Sequence, residues 1–271
     1  MRRVLGLGFG LVLYLLAAGN ATSAEAPPTP PAGDSESQQF ARELLLDMAR
    51  FLGGTQRFSV DLLADFDVVQ DSGQTVTFAE RRSISLQRPN QFLSAHRESN
   101  GRGDVLLFDG DAITISDSEA NVYSRVPQPG DIDASARYFI NDLKMRLPLA
   151  PLFMSRFADE LQSRLRSVEY VEETDVYGEP AHQIAARTDS VDFQVWIRDG
   201  SEPVPLRVVI SYRGEPGHPQ FRAQFSNWKL KPRFGKRAFV FQPEKDMQQI
   251  VFLVQLTPPP ADGNDSNEVR P

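Results

Sequence analysis

Residues 58–69 read FSVDLLADFDVV, and they separate into two sets. Phe58, Val60, Leu62, Ala64, Phe66 and Val68 are apolar, while Ser59, Asp61, Leu63, Asp65 and Asp67 are mostly polar. Successive side chains of a strand point to opposite sides of the pleat, so this period of two predicts an antiparallel strand with one covered face. The stretch DSGQ (71–74) supplies turn chemistry, and Val76, Phe78, Ile84 and Leu86 carry the same parity back. Together they predict a long hairpin. Glu80 and Arg82 interrupt its apolar face: the strand is expected to leave the covered region there, the alternative being a polar pair at the mouth of a cavity.

On the N-terminal side of the hairpin, Ser35 and Gln38 have capping-box spacing. Phe40, Leu44, Met48 and Phe51 follow at helical intervals, and Gly53-Gly54 supplies a stop. On the C-terminal side, shorter strands are expected at 91–99, 104–109, 112–117 and 121–126. Their turns fall at Asn100-Gly101, Asp109-Gly110 and Asp117 to Asn121. Links this short make neighbouring strands antiparallel. The period then becomes helical, with Asp131 or Asp133 as cap and Ile132, Ala136, Phe139, Ile140, Leu143 and Leu147 in register. A second helix is expected from Pro148 or Leu149, carrying Leu152, Phe153, Phe157, Leu161 and Leu165. A second meander follows at 167–180, 181–189, 191–200, 203–214 and 219–232, with a further strand at 238–243. The expected fold is α+β: a strongly curved antiparallel sheet of about 11 strands, not fully closed, with about three helices packed on the concave face.

The ends bear on location. Arg2 and Arg3 precede an uncharged run from Val4 to Ala18, and small residues follow to Ala24. This predicts a signal peptide over 1–24, cleaved near Ala24, and a periplasmic protein. The run is shorter than the ~20 residues a membrane-spanning helix needs. The chain has no cysteine, so no lipid anchor and no disulfide are expected. Residues 25–37 and 257–271, rich in Pro, Gly, Ser and acid, are expected to be a disordered linker and tail, leaving one domain over 38–256.

Without Arg2 and Arg3 the chain carries 29 − 2 = 27 basic residues against 36 acidic ones, a net charge of −9. Such a balance argues against nucleic acid and anionic membrane surfaces as partners. No catalytic residue, metal site or cofactor is indicated. His96, His182 and His218 lack metal-ligand spacing, and neither HExxH nor GxSxG occurs. Asp109-Gly110-Asp111 reads as a turn, and the four carboxylates of EYVEETD (169–175) read as a solvated strand face. The expectation is a binding protein, not an enzyme. An apolar pocket for an acyl chain needs shape and lining, with no signature residues.

The order of these elements resembles the periplasmic lipoprotein-carrier superfamily, the LolA, LolB and LppX type, and its exported members of unknown function. The resemblance rests on the N-terminal helix, FSVDLLADFDVV, then ISLQRPNQFLSAHRES, then LLFDGDAITISDSEANVYSRV. DVYGEPAHQI, FQVWIRDGSEPVPLRVVISY and FVFQPEKDM follow in the same order. It implies an unclosed barrel with a helical lid over a hydrophobic cavity, in a family that carries lipids or lipoproteins between membranes. It would place Arg88 and Pro89 at a strand end. Candidate ligand-binding residues would be Phe58, Val60, Leu62, Phe66, Phe92, Ile113, Ile115, Phe139, Ile140, Phe153 and Phe157. The implied function is carriage of a lipid, acyl chain or lipoprotein by a monomer. The alternative is an envelope protein-interaction or sensing module on the same scaffold, without lipid transport.

Overall fold

The computed structural model describes residues 35–96, 103–142 and 148–251. The expected signal peptide (1–24), most of the linker (25–34), the tail (257–271) and two helix residues, Leu143 and Leu147, lie outside the described residues. Helix α1 (Glu36–Gly54) begins with the expected capping box: the Gln38 amide N–H donates to the Ser35 hydroxyl and the Gln38 side chain accepts from the Ser35 N–H. Two satisfied terminal groups fix the helix start, and Ala41, Leu45, Met48, Ala49 and Leu52 form its buried face.

The hairpin is β1 (Arg57–Val69) and β2 (Thr75–Gln87), followed by β3 (Gln91–His96), β4 (Asp104–Phe108), β5 (Ala112–Asp117) and β6 (Val122–Pro127). At Asp109-Gly110 the turn chemistry does what the sequence suggests, while the turn expected at Asn100-Gly101 lies outside the described residues. The Asp109 carboxylate accepts from the N–H groups of Asp111 and Ala112, and Gly110 takes a positive φ of 96° beside the Asn90 side chain. Those two N–H groups and Arg125 outweigh the effect of burial and hold the Asp109 carboxyl below the usual carboxylate range.

The chain then turns helical. Asp131 caps α2 (Ile132–Arg137), which continues as a wider π-turn stretch, Tyr138–Asp142. The second expected helix is divided into α3 (Ala150–Phe153) and α4 (Phe157–Arg164). Between them the Ser155 N–H and hydroxyl both donate to the buried Asp133 carboxylate, which draws the backbone out of helical register.

The second meander is β7 (Ser167–Val176), β8 (Glu179–Arg187), β9 (Val191–Arg198), β10 (Pro205–Tyr212) and β11 (Gln220–Leu230). The strand expected at 238–243 is replaced by turns, in which Phe239 is buried and Phe241 packs on Tyr123 at 5.1 Å. Strand β12 (Gln248–Gln249) comes later, parallel to β6. Among the described residues twelve strands form one sheet in the order β12-β6-β5-β4-β3-β2-β1-β11-β10-β9-β8-β7. The two meanders meet where β1 pairs with β11, and β12 and β7 are left as the ends of an unclosed, curved sheet. The helices lie on the concave face. Their apolar side chains and those of Phe58, Val60, Leu62, Ile84, Leu86, Phe108 and Ile113 form one continuous core.

Candidate ligand-binding face

Register divides the concave face into rows that cross the strands. The lower row, at the end where β1 begins, runs Leu230, Phe58, Leu86, Phe92, Phe108, Ile113, Val126 across β11 and β1 to β6. Helix α3 closes over this row: the Phe153 ring lies 5.3 Å from Phe92 and 6.2 Å from Phe58. The helical layer is fastened at the same end. Arg88, in the strand-end Arg-Pro pair, donates to the carbonyls of Leu52 and Thr55 at the C-terminus of α1, both at 3.2 Å. The Ile132 N–H donates to the Pro89 carbonyl, and Asp133 receives Ser155. Burial pushes the Arg88 guanidinium pKa down and Asp133 opposes that shift. Carbonyls at a helix C-terminus lack intrahelical partners, so a guanidinium there satisfies groups that would otherwise need water.

The upper row differs. Phe78, Phe66, Phe221, Ile210, Phe193, Ala186 and Val168 are cross-strand partners in succession over β2, β1, β11, β10, β9, β8 and β7. Val168 and Ala186 are buried, Phe193, Ile210 and Phe66 are half-buried, and Phe78 is 47% exposed. Phe66 and Phe78 stack with centroids 5.8 Å apart. The row is therefore apolar over seven strands, with Phe221 buried within it and Phe78 uncovered at its β2 end.

A charged cluster borders it. Arg82 is only 5% exposed, and its guanidinium donates to Glu80 at 3.0 Å and to Asp104 on β4 at 2.8 Å. Desolvation works against its charge, but the two carboxylates outweigh it and hold the Arg82 pKa above its ordinary value. Contrary to the expectation from sequence, the strand is still covered at Glu80 and Arg82. The pair is built into it because Asp104 supplies a second counter-charge.

Of the eleven candidate residues, Phe58, Val60, Leu62, Ile113, Phe139, Phe153 and Phe157 are buried in the common core. Phe66, Phe92 and Ile115 are half-buried against it. Ile140 is not part of it, being 37% exposed. Of two depressions, of about 210 and 400 Å³, none of the eleven lines either, although Ala186 and Phe193 of the upper row border the larger. Sequence reasoning missed Phe78, Phe193, Ile210 and Phe221 as members of a shared row. Their parity within each strand was visible, but the pairing of β1 with β11 that aligns them was not.

The other sequence signals have ordinary partners. His182 sits between the Tyr170 hydroxyl at 3.0 Å and Asp199 at 3.3 Å, and Glu169 accepts from Gln38 of α1. Among the described residues no group of three His, Cys, Asp or Glu side chains is placed to hold a metal ion, and no helix is long and apolar enough to cross a membrane.

Comparison with known proteins gives a family and a set of distant folds. The family model described as "Predicted periplasmic protein (DUF2092)" matches residues 41–253. No curated protein matches. Solved structures to which the chain is similar include the lipoprotein LppX of Mycobacterium tuberculosis, at 13% identity and TM-score 0.48, over 73% of this chain and 99% of that one. An uncharacterized conserved protein from Thermus thermophilus matches at 11% identity and TM-score 0.46, over 79% and 100%. A LolA superfamily protein from Nitrosomonas europaea matches at 12% identity and TM-score 0.38, over 76% and 99%.

Proposed function

Because the chain belongs to the DUF2092 family of predicted periplasmic proteins, we propose that it is an exported binding protein for a hydrophobic or amphiphilic ligand, a lipid or an acylated polypeptide, received between the sheet and its helices. Cleavage near Ala24, release as a soluble chain and the lack of a lipid anchor belong to the same proposal. The observation that carries it is the upper row. Large apolar side chains in a continuous row, uncovered at one end and bordered by charge, mark a surface that something covers. From Phe78 to Phe193 the row crosses five strands, four gaps of ~4.8 Å or roughly 19 Å. That is the scale of a long acyl chain.

The fastening of the helices supports the same reading. Arg88, Pro89, Asp133 and Ser155 all act at the lower end, while beside the upper row α1 is tied to β7 by the exposed hydrogen bond from Gln38 to Glu169, so parting the layer there would break that one bond. A chain entering along Phe66 would reach Leu62, Val60 and Phe157 as the helices part, and Phe58, Phe92, Phe139 and Phe153 would form the closed end.

Titration with a fluorescent fatty-acid analogue tests this. The native chain is expected to bind, and Phe78→Asp to weaken binding at least ten-fold, since covering a Phe side chain contributes ~1.5–3 kcal/mol. Phe78 is half exposed, so the fold should survive the change. No binding by the native chain, or equal affinity in the variant, would refute the proposal.

A further inference from the structure

From Pro216 to Pro243 there is no acidic residue, while Arg222, Lys229, Lys231, Arg233, Lys236 and Arg237 contribute +6. The net charge of the chain is −7, so everything else sums to −7 − 6 = −13. The densest part is KLKPRFGKR (229–237), and its five basic side chains are all exposed. Among the described residues they form no ion pair, whereas Arg222 is held by Asp67. Arg57, also exposed, accepts the Lys231 N–H on its carbonyl and adds a sixth cation beside them. Asp61, close to this neighbourhood, is engaged by Ser83 and Asn227.

This segment leaves the lower end of β11 and crosses the outer face of the sheet, opposite the helices. Two successive turns shape it, closed by the Ala238 N–H on Gly235 and the Val240 N–H on Arg237. Phe239 is its buried anchor, with Phe234 against it at 5.0 Å, and Val240 is 53% exposed. Beneath the segment lies the 210 Å³ depression, lined by the paired amides of Gln87 and Gln91, by Lys236 and by Phe234, Phe239 and Val240. Amide donors, one ammonium and an apolar wall in one hollow suit a phosphate ester attached to a hydrocarbon.

We propose that the segment from Lys229 to Val240 is a docking surface for an anionic phospholipid bilayer. Five unpaired cations on one short stretch produce a local field that the negative bulk of the chain does not cancel, because charges more than ~10 Å away are largely screened at physiological salt. Clustered Lys and Arg are drawn to anionic headgroups. The exposed Val240 and the half-buried Phe234 supply the apolar contact that a surface-bound segment needs. The inference stands apart from the proposed ligand site, which lies on the opposite face of the sheet. Docking by the outer face would leave the open end of the concave face accessible.

Co-sedimentation with phosphatidylcholine vesicles, with and without phosphatidylglycerol, tests it on the whole chain. Partitioning is expected only with phosphatidylglycerol present and is expected to fall as salt is raised. Each exposed cation removed should lower it about five-fold, so Lys231→Gln, Arg233→Gln and Lys236→Gln together should lower it roughly a hundred-fold. Arg50→Gln, Arg156→Gln and Arg164→Gln, which remove the same charge from the helices, should leave it nearly unchanged. These side chains are all exposed, so circular dichroism should show both triple variants folded. Equal binding to both vesicle types, equal loss in the two triple variants, or binding to polyglutamate but not to vesicles would overturn the proposal.

Discussion

Replacing Arg82 by methionine tests how the charged border of the concave face is held. The Arg82 side chain is 6% exposed, and those of Asp104 and Glu80 are 13% and 22% exposed, so all three sit largely out of water. Methionine keeps most of the volume and removes the charge. Two nearby carboxylates then lose their shared counter-charge, and removing one partner of a buried pair costs ~3–5 kcal/mol. The added apolar surface offsets about 1 kcal/mol of that, leaving a loss of about 2–4 kcal/mol at pH 7. Urea unfolding followed by the fluorescence of Trp196 and Trp228 measures it. The triple replacement Glu80→Gln, Arg82→Met, Asp104→Asn should recover most of the loss at neutral pH. A loss under about 1 kcal/mol at pH 7, or a triple variant no more stable than Arg82→Met, would show that the three groups do not act as a buried unit.

Gly53→Ala should destabilise the chain despite alanine's helix propensity advantage of ~1 kcal/mol. A Cβ there would meet the Ser155 carbonyl oxygen at 2.6 Å, which is backbone and cannot swing away; a higher thermal midpoint than the native chain would contradict the contact. Asp67→Asn should cost stability at neutral pH and progressively less in acid. Burial acts to raise the Asp67 pKa, but Arg222, Thr77 and the Gln220 N–H outweigh it and hold the carboxyl below its usual range. The contribution of Asp67 is therefore full above the ordinary carboxylate pKa of ~3.9 and disappears as pH falls through its lowered folded value. Denaturant midpoints of the two chains that stay a constant distance apart between pH 6 and strongly acidic conditions would argue against that assignment.

Much of the fold is legible in particular residues. Ser35 and Gln38 announce α1, Asp131 or Asp133 announces α2 and the structure selects Asp131, and Asp109-Gly110 announces a turn, because each makes its bonds within three or four residues. The resemblance to exported carrier-like proteins of unknown function agrees with the matched family. Two local readings fail for identifiable reasons. The helix expected from Pro148 or Leu149 to Leu165 is broken at Ser155 because Asp133, 22 residues away, takes both its donors. Residues 238–243 alternate as a strand would, with Phe239 inward and Val240 outward, but the segment crosses the outside of the sheet and has no ladder to join.

The candidate site divides in the same way. Phe58, Val60, Leu62 and Phe66 share a face by strand parity alone, and the sequence determines that without help from the rest of the chain. Whether Phe66 stands alone or in a row depends on β1 pairing with β11, more than 150 residues away. That choice comes from the closure of two meanders around the helices inserted between them. Arg82 is similar: its charge looks like an interruption until Asp104 meets it from another strand. Alternation, caps and turns are set by interactions a few residues long, so one sequence suffices to read them. Which faces meet, which charges are neutralised and which apolar row stays uncovered are set by contacts between distant segments, and only the folded chain decides them.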